Sequence, residues 1–313
     1  MEFLSNNFIS DFFVMVLKWV FSFIHDYSGA IILVTIAIRL LILPLDLRQK
    51  KSTRKMSLLA PKIESLKKRY ANNPQQLQKK QQELYKKEGV RPLAGCLPML
   101  ITLPIFFAFF GAMRVLAAEQ TVSFMLNAQQ IGESAFNLPQ WLWVHNFWQP
   151  DAGHVNILPA ASEFATFVQQ NASYINPQSM HMMAQNSLLS FDPAQGLMAT
   201  EAYETLSADI ISTNGLSGFK NGWYILPVLA GATLFIQQKI SMGQNPQMQS
   251  QGKFMLWFFP LFSIYICVIS NTAFSLYWLT ANVYALGQLL VLNYIYKQRD
   301  KKNKPEVIEE ATS

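Results

Sequence analysis

Residues 27–45 read YSGAIILVTIAIRLLILPL and contain a single charged side chain, Arg39. A helix needs about 20 mainly apolar residues to cross the hydrocarbon core of a bilayer, so this stretch predicts a membrane span. The whole composition agrees, because 51% of the 313 residues are hydrophobic and only 14% are charged, about half the charged fraction of soluble domains. We therefore expect a membrane protein rather than a soluble one.

Further stretches reach or approach the same length, and the last two of them are separated only by Ser270, Asn271 and Thr272. So short a polar turn predicts an antiparallel helical hairpin. The sequence thus predicts an all-α membrane protein whose core has five transmembrane helices. The four additional stretches are Pro98 to Ala118, Trp223 to Ile240, Phe254 to Ile269 and Ala273 to Tyr296.

The charges of the connecting loops predict the orientation, because positively charged loops stay cytoplasmic. Fourteen Lys or Arg residues fall between Arg48 and Arg91, whereas the segment from Glu119 to Phe219 has eight acids and no Lys or Arg. We expect the first segment inside and the second outside, with the N-terminus outside and the C-terminus cytoplasmic. The chain is expected to cross its membrane several times.

The N-terminal stretch is apolar too, but Asp11, Lys18, Ser22 and His25 recur at heptad-like spacing and mark one polar stripe. This pattern predicts an amphipathic helix in the outer membrane interface, with a sixth span as the alternative. The predicted segments are the interfacial helix 1–26, spans 27–47 and 92–118 around a cytoplasmic basic hairpin 48–91, the extracytoplasmic loop 119–220, span 221–240, a cytoplasmic loop 241–253, spans 254–270 and 271–296, and the tail 297–313.

Arg39 is the first candidate functional residue, because a charge at the centre of a transmembrane helix costs about 2.5 to 3.5 kcal/mol on insertion scales. Such a residue usually faces a cavity, although its side chain could instead reach the cytoplasmic interface. Thr35, one turn earlier, shares its helix face. Gln237 and Gln238 end the third span, and the fifth span is also rich in polar residues; these favour helix packing individually, or a wet groove together.

The basic segment predicts two helices, because Met56, Leu59, Ile63, Leu66 and Tyr70 are spaced three and four residues apart before the break at residues 72–74. Anionic lipid headgroups and ribosomal RNA are both candidate contacts for this hairpin. Nucleotide-binding and hydrolase motifs are missing, so we expect no enzyme and no cofactor. A single Met and His run at residues 180–183 does not support a metal site.

The order of several motifs resembles the YidC/Oxa/Alb family of membrane protein insertases. An arginine in the first core span precedes LLAPKIESLKKRY at 58–70, GVRPLAGCLPMLITLPIFFAFF at 89–110, LPVLAGATLFIQQKIS at 226–241 and SLYWLTANVYALGQ at 275–288. The resemblance covers most of the membrane core and the hairpin. It implies a five-helix core around a hydrophilic groove that opens to the cytoplasm and to lipid. Arg39 and Thr35 would lie in that groove, with Trp278 facing it from the fifth span.

The resemblance implies a protein of the bacterial plasma or inner membrane that inserts nascent membrane proteins without nucleotide hydrolysis. The expected partners are nascent membrane proteins and membrane lipids, with the ribosome and the Sec translocon left open and no DNA. A secondary transporter or channel with an arginine site is the alternative, although no inverted repeat is visible. A membrane-bound scaffold is a third interpretation. The family suggests no role for the long outer loop, whose fold the sequence does not predict.

Overall fold

The computed structural model describes residues 8–89, 97–194, 196–244 and 252–302. Predictions that concern the remaining residues, including Cys96, Arg91 and most of the tail, lie outside this part of the chain. Between Phe8 and Lys302 the described elements are α1 Phe8–Ile24, α2 Tyr27–Leu58, α3 Ala60–Arg69, α4 Pro74–Lys87, α5 Leu97–Ile131, a 3-10 turn Glu133–Ala135, α6 Ala161–Gln170, α7 Pro177–Gln185, β1 Leu189–Asp192, β2 Gly196–Ala199, α8 Glu201–Thr213, α9 Ile225–Gln244, α10 Gly252–Ile269 and α11 Thr272–Lys302.

Within the described ranges, four helices are long and apolar enough to cross a membrane. Their apolar parts are Tyr27–Leu58, Leu103–Ile131, Ile225–Met242 and Thr272–Arg299. The fourth predicted span corresponds to a shorter apolar helix, Phe254–Ile269. Large apolar side chains on its surface are exposed, among them Trp257, Leu261 and Tyr265. An apolar surface of this kind suits contact with lipid rather than water.

The first two helices meet at a tight corner. His25 has a left-handed backbone with φ of 57°, and Asp26 caps α2 by accepting hydrogen bonds from the backbone N–H of Ser28 and Gly29. Partial burial would raise the pKa of the Asp26 carboxyl, but the hydrogen bonds from Ser28 and Gly29 outweigh it and lower the pKa. The anion therefore stabilises the N-terminus of α2, where the helix dipole favours negative charge.

Helix α1 packs one apolar face against α5 and α2. Phe13, Val14 and Leu17 are buried there, while Phe12 and Trp19 on the other side are exposed. Lys18 from the predicted polar stripe pairs with Glu119 of α5 at 2.6 Å. These contacts hold α1 beside the bundle. The apolar side chains on its other side stay exposed.

The long helices form a bundle in which α9 packs along both α10 and α11, and α11 packs along α2. α5 meets α2 and α11 only over short lengths. Gly231 of α9 allows the closest approach, because a Cβ there would lie 2.5 Å from Cγ1 of Ile264 on α10. Cys267 is buried in α10, and its carbonyl accepts a hydrogen bond from Ser275 Oγ of α11.

α2 and α5 extend more than ten residues beyond the apolar stretches that the sequence predicts. α2 continues past the membrane segment to Leu58 and ends just before Pro61, which has no N–H to donate. α5 continues past Ala118 to Ile131 because Val122, Met125 and Leu126 find burial in a second apolar core. The loop expected at residue 119 therefore starts with three further turns of helix.

The segment 119–220, which the sequence predicts outside and which we call the outer module, folds around that second core. It combines the outer end of α5 with α6, α7, α8 and the antiparallel pair of β1 and β2. Phe164 stacks on Tyr203 with ring centroids 4.2 Å apart, and the Tyr203 hydroxyl donates to the carbonyl of Pro159 at 2.7 Å. Burial raises the pKa of Tyr203, so this donor stays protonated at neutral pH.

The basic segment folds into the helical pair α3 and α4. Asn73 caps α4 through a hydrogen bond from the Gln76 backbone N–H, and Lys62 pairs with Glu88 at 2.7 Å. Met56 and Leu59 are buried against Ile63 and Tyr85. The pair is thus joined to the C-terminal end of α2 by a small apolar cluster.

Candidate functional site

A small cavity lies between α2, α5 and α11. It measures about 20 Å³ and is lined by Thr35, Ile38, Arg39, Ile42, Ile105 and Tyr277. That volume is enough for about one water molecule. The structure therefore brings Arg39 and Thr35 together, one helical turn apart, around a polar opening in an otherwise apolar bundle.

Arg39 is partly buried and Thr35 is 2% exposed. The Thr35 hydroxyl donates to the carbonyl of Ile31 at 2.6 Å, which leaves its oxygen lone pairs able to accept from a neighbour. Tyr277 is buried and stacks on Phe109, with ring centroids 4.2 Å apart. Arg39 thus supplies the positive charge of a confined polar environment, where a charge interacts more strongly than in water.

Trp278, which the resemblance implies for the groove, lies on α11 directly after Tyr277. It is absent from the cavity lining, where the neighbouring Tyr277 stands. Its indole Nε1 donates to Ser263 Oγ of α10 at 2.6 Å, and its ring meets Phe106 edge to face at 4.9 Å between centroids. Trp278 therefore connects α11 to α10 and α5.

Gln237 and Gln238 are half-buried on α9, and neither belongs to the residues that line the cavity. Other polar residues of the fifth apolar stretch bond to backbone carbonyls. Thr280 donates to Leu276 of its own helix, and Asn282 donates to Ala230 of α9 at 3.4 Å. The Thr280 bond stays within α11, whereas the Asn282 bond connects α11 to α9, as helix packing in a membrane requires.

Buried polar side chains tie together the helix ends that adjoin the outer module. Asp151 is fully buried and accepts hydrogen bonds from Trp143 Nε1 and from the backbone N–H groups of Trp223 and Leu226. Asn221 donates to the carbonyls of Asn146 and Pro150. The segment around residues 146–151 is therefore fixed to the start of α9.

The same segment is also fixed to the turn between α10 and α11. Thr272 donates to the carbonyl of Gln149 through both its backbone N–H and its hydroxyl, and the hydroxyl bond is 2.7 Å long. Asn271 donates to the carbonyl of Met113 in α5. Trp148 is buried in the core beside Tyr27. Together these contacts tie α5, α9, α10 and α11 to the segment at residues 146–151.

Comparison with known proteins identifies the family. Residues 19–200 and 194–301 match the family described as 60Kd inner membrane protein. The chain belongs to the YidC/Oxa/Alb family. It is 30% identical over 285 residues to the membrane protein insertase MisCA of Bacillus subtilis, covering 90% of this chain and 74% of that protein.

Other YidC/Oxa/Alb relatives agree. The membrane protein insertase YidC of Fusobacterium nucleatum is 29% identical, with 90% of this chain and 93% of the relative covered. The membrane protein insertase YidC of Oceanobacillus iheyensis is 27% identical, with 90% of this chain and 82% of the relative covered. Family and apolar helices together make this chain a multi-pass bacterial membrane protein, in a family of insertases rather than enzymes.

The sequence predicted Arg39 and Thr35 as neighbours but missed two residues beside them in this YidC/Oxa/Alb chain. Ile105 and Tyr277 complete the cavity lining from α5 and α11. Tyr277 directly precedes the predicted Trp278, and one residue turns a helix by about 100°. Which of these two residues meets Arg39 depends on the rotation of α11, and the motif alone does not give that rotation.

Among the described residues, no group of three or more His, Cys, Asp or Glu side chains is arranged to hold a metal ion. In the Met and His run of the outer module, Met183 is fully buried in the second apolar core. Met183 therefore packs within that core.

Proposed function

We propose that this chain is a membrane protein insertase that moves nascent membrane proteins into the bilayer through a hydrophilic groove beside Arg39, without nucleotide hydrolysis. The observation that carries the proposal is the confined polar site of Arg39, Thr35 and Tyr277 inside an apolar bundle, in a chain whose family includes the insertases named above. The client segment is the substrate, and no cofactor takes part.

The physical barrier to insertion is the transfer of a polar tail across a medium of low dielectric constant. A wet groove shortens that path, and Arg39 offers a transient partner for an acidic group of the tail. Burial of the client's apolar segment in lipid then supplies the driving force. The polar contacts at residues 146–151, 221 and 271–272 support a groove that is closed on its outer side.

We propose a core of five spans, made of α2, α5, α9, α10 and α11, with α1 in the outer interface. The N-terminus would lie outside and the C-terminus in the cytoplasm, because the fourteen cations of residues 48–91 favour the inner side. α3 and α4 would then project into the cytoplasm, where their basic surface suits anionic lipids or a ribosome. Gln237, Gln238 and Trp278 would border the groove from α9 and α11, and a Sec translocon would be a further partner.

Insertion into vesicles tests this proposal. The client is a single-span protein with a short tail that carries zero, one or two aspartates, and yields are normalised to folded insertase. We expect Arg39→Ala to lower insertion about tenfold for the acidic tails and least for the neutral one, while Arg39→Lys retains much of the activity because it keeps the charge. Equal losses across the three clients would exclude the electrostatic role, and wild-type yields no higher than protein-free vesicles would exclude the insertase.

A further inference from the structure

α2 also carries a buried acid, Asp46, two helical turns to the cytoplasmic side of Arg39. Asp46 is 8% exposed, and its carboxylate interacts electrostatically with both Arg39 and Lys50. Lys50, one further turn along, is itself partly buried. α2 therefore carries an alternating row of charges, positive at Arg39, negative at Asp46 and positive at Lys50, at the spacing that keeps side chains near one face of a helix.

Helix α11 lies alongside this row in the same direction. Tyr277 meets Arg39 and Thr35 at the cavity, and at the cytoplasmic end the Arg54 guanidinium lies 4.0 Å above the ring of Tyr296. Between these two contacts the helices run in register, which brings Asp46 to about the level of Gln288. The Gln288 amide nitrogen is buried and has no hydrogen-bond partner within the described part of the protein. The polar path thus continues from Arg39 towards the cytoplasm.

We propose that Asp46 determines how strongly the groove holds acidic client groups. Its negative charge lowers the positive potential at Arg39, so that an acidic tail binds there transiently and is released. This role rests on the proposed insertase function and deepens it, because it makes the charge of the client tail the property that the groove selects.

The geometry sets the size of the effect. Seven residues of helix place Asp46 about 10 Å from Arg39 along the axis. Charges at that distance, in a partly buried and partly screened environment, change an equilibrium roughly threefold to tenfold. The Asp46 charge would change the binding of a client acid at Arg39 to this extent, and it would leave the binding of a neutral client unchanged.

Photocrosslinking of translocation intermediates tests the proposal. A photoreactive side chain replaces Ile105, and the client is the single-span protein with zero, one or two aspartates in its tail. We expect Asp46→Asn to increase the crosslinked fraction roughly threefold to tenfold for one aspartate, and further for two. The neutral client should be unchanged. In an Arg39→Ala background the increase should vanish, because the two charges act on the same client group.

An equal increase for all three clients, or an increase that persists without Arg39, would show that Asp46 acts by packing and would overturn the proposal. Lys50→Gln is the second variant, needed if Asp46→Asn fails to fold. It should lower the crosslinked fraction of the acidic clients, and an unchanged fraction would also overturn the proposal. If the wild-type protein inserts no client at all, the proposed function itself fails. That result differs from normal insertion by the wild type together with an unchanged crosslinked fraction in Asp46→Asn, which overturns only the role of Asp46.

Discussion

Asp151 shows how a single buried carboxylate can fix a whole outer segment. Its two oxygens accept three hydrogen bonds, from the Trp143 indole and from backbone N–H groups at Trp223 and Leu226. The last of these lies in the first turn of α9, where the helix dipole also favours an anion. Gly222 makes room for this arrangement, because a Cβ there would lie closer to the Asp151 carboxylate than any van der Waals contact permits.

We expect Asp151→Asn to lower the free energy of unfolding by about 1.5 to 3 kcal/mol, because an amide offers only one acceptor oxygen to these donors. Thermal unfolding in detergent measures this loss. Asp209→Asn is the matched control, since Asp209 is an exposed acid of the same outer module and should change stability by about 0.5 kcal/mol or less. Equal melting temperatures for wild type and Asp151→Asn would show that these hydrogen bonds do not stabilise the fold.

At the scale of elements, the contact between α9 and α10 depends on the absence of a side chain. A Cβ at Gly231 would come within 2.5 Å and 2.8 Å of two carbons of Ile264 and 3.1 Å from the carbonyl oxygen of Pro260. Small residues at such positions let membrane helices approach closely, and close packing is a main source of their association. This contact holds α10 in the bundle, although its apolar stretch is shorter than the others.

Gly231→Ala should therefore destabilise the folded bundle by about 1 to 3 kcal/mol through overpacking. Melting in detergent checks this value, and Ile264→Ala in the same chain should recover part of the loss by removing the colliding carbons. Gly287→Ala is the control, because nothing lies within 4 Å of a Cβ at Gly287. A Gly231→Ala protein as stable as this control would mean that the two helices separate easily.

The basic hairpin of α3 and α4 is a second element whose role can be separated from folding. It joins the bundle through the small cluster around Met56 and Leu59 and through contact with α2. We expect a deletion of Asn72 to Pro74 to lower client insertion several-fold while leaving the melting temperature of the bundle nearly unchanged, because the helices carry a basic, non-membranous surface.

Vesicle insertion and detergent melting, done on the same preparation, measure the two effects. Lys80→Gln serves as a control that removes one exposed charge of the hairpin, and its pairing with Glu83, without changing the length of the connection. Full insertion activity in the deletion variant would assign the hairpin no part in client handling. A matching fall in melting temperature would assign it to stability instead.

At the scale of the whole molecule, the proposed orientation can be measured by labelling with a membrane-impermeant thiol reagent. In a variant without Cys96 and Cys267, single cysteines at the exposed positions Ser134 and Ser212 should be labelled in intact cells. Cysteines at Ser57, Ser250 and Ser313 should react only after the membrane is opened, because the positive loops favour the inside. Labelling of Ser57 in intact cells, with Ser134 protected, would reverse the orientation.

The sequence by itself determined the class of protein and the motifs that carry its family. Hydrophobic length and loop charge act locally on each segment, so residues 27–45 and their neighbours predict membrane helices without knowledge of their packing. The motif order located Arg39 and Thr35, which the structure places side by side at one cavity. The interval of one turn between them is a property of a single helix, and a single helix can be read from its sequence.

Only the tertiary structure decided what surrounds Arg39. The rotation and register of α11 bring Tyr277 to the cavity and turn Trp278 towards Ser263. Asp46, two helical turns from Arg39 towards the basic hairpin, is buried as well. The outer module likewise emerged only from the structure, because its core joins the end of α5 to segments as distant as Tyr203 and Ile210. Contacts between remote residues depend on how whole helices fit together, and no local pattern in the sequence encodes that fit.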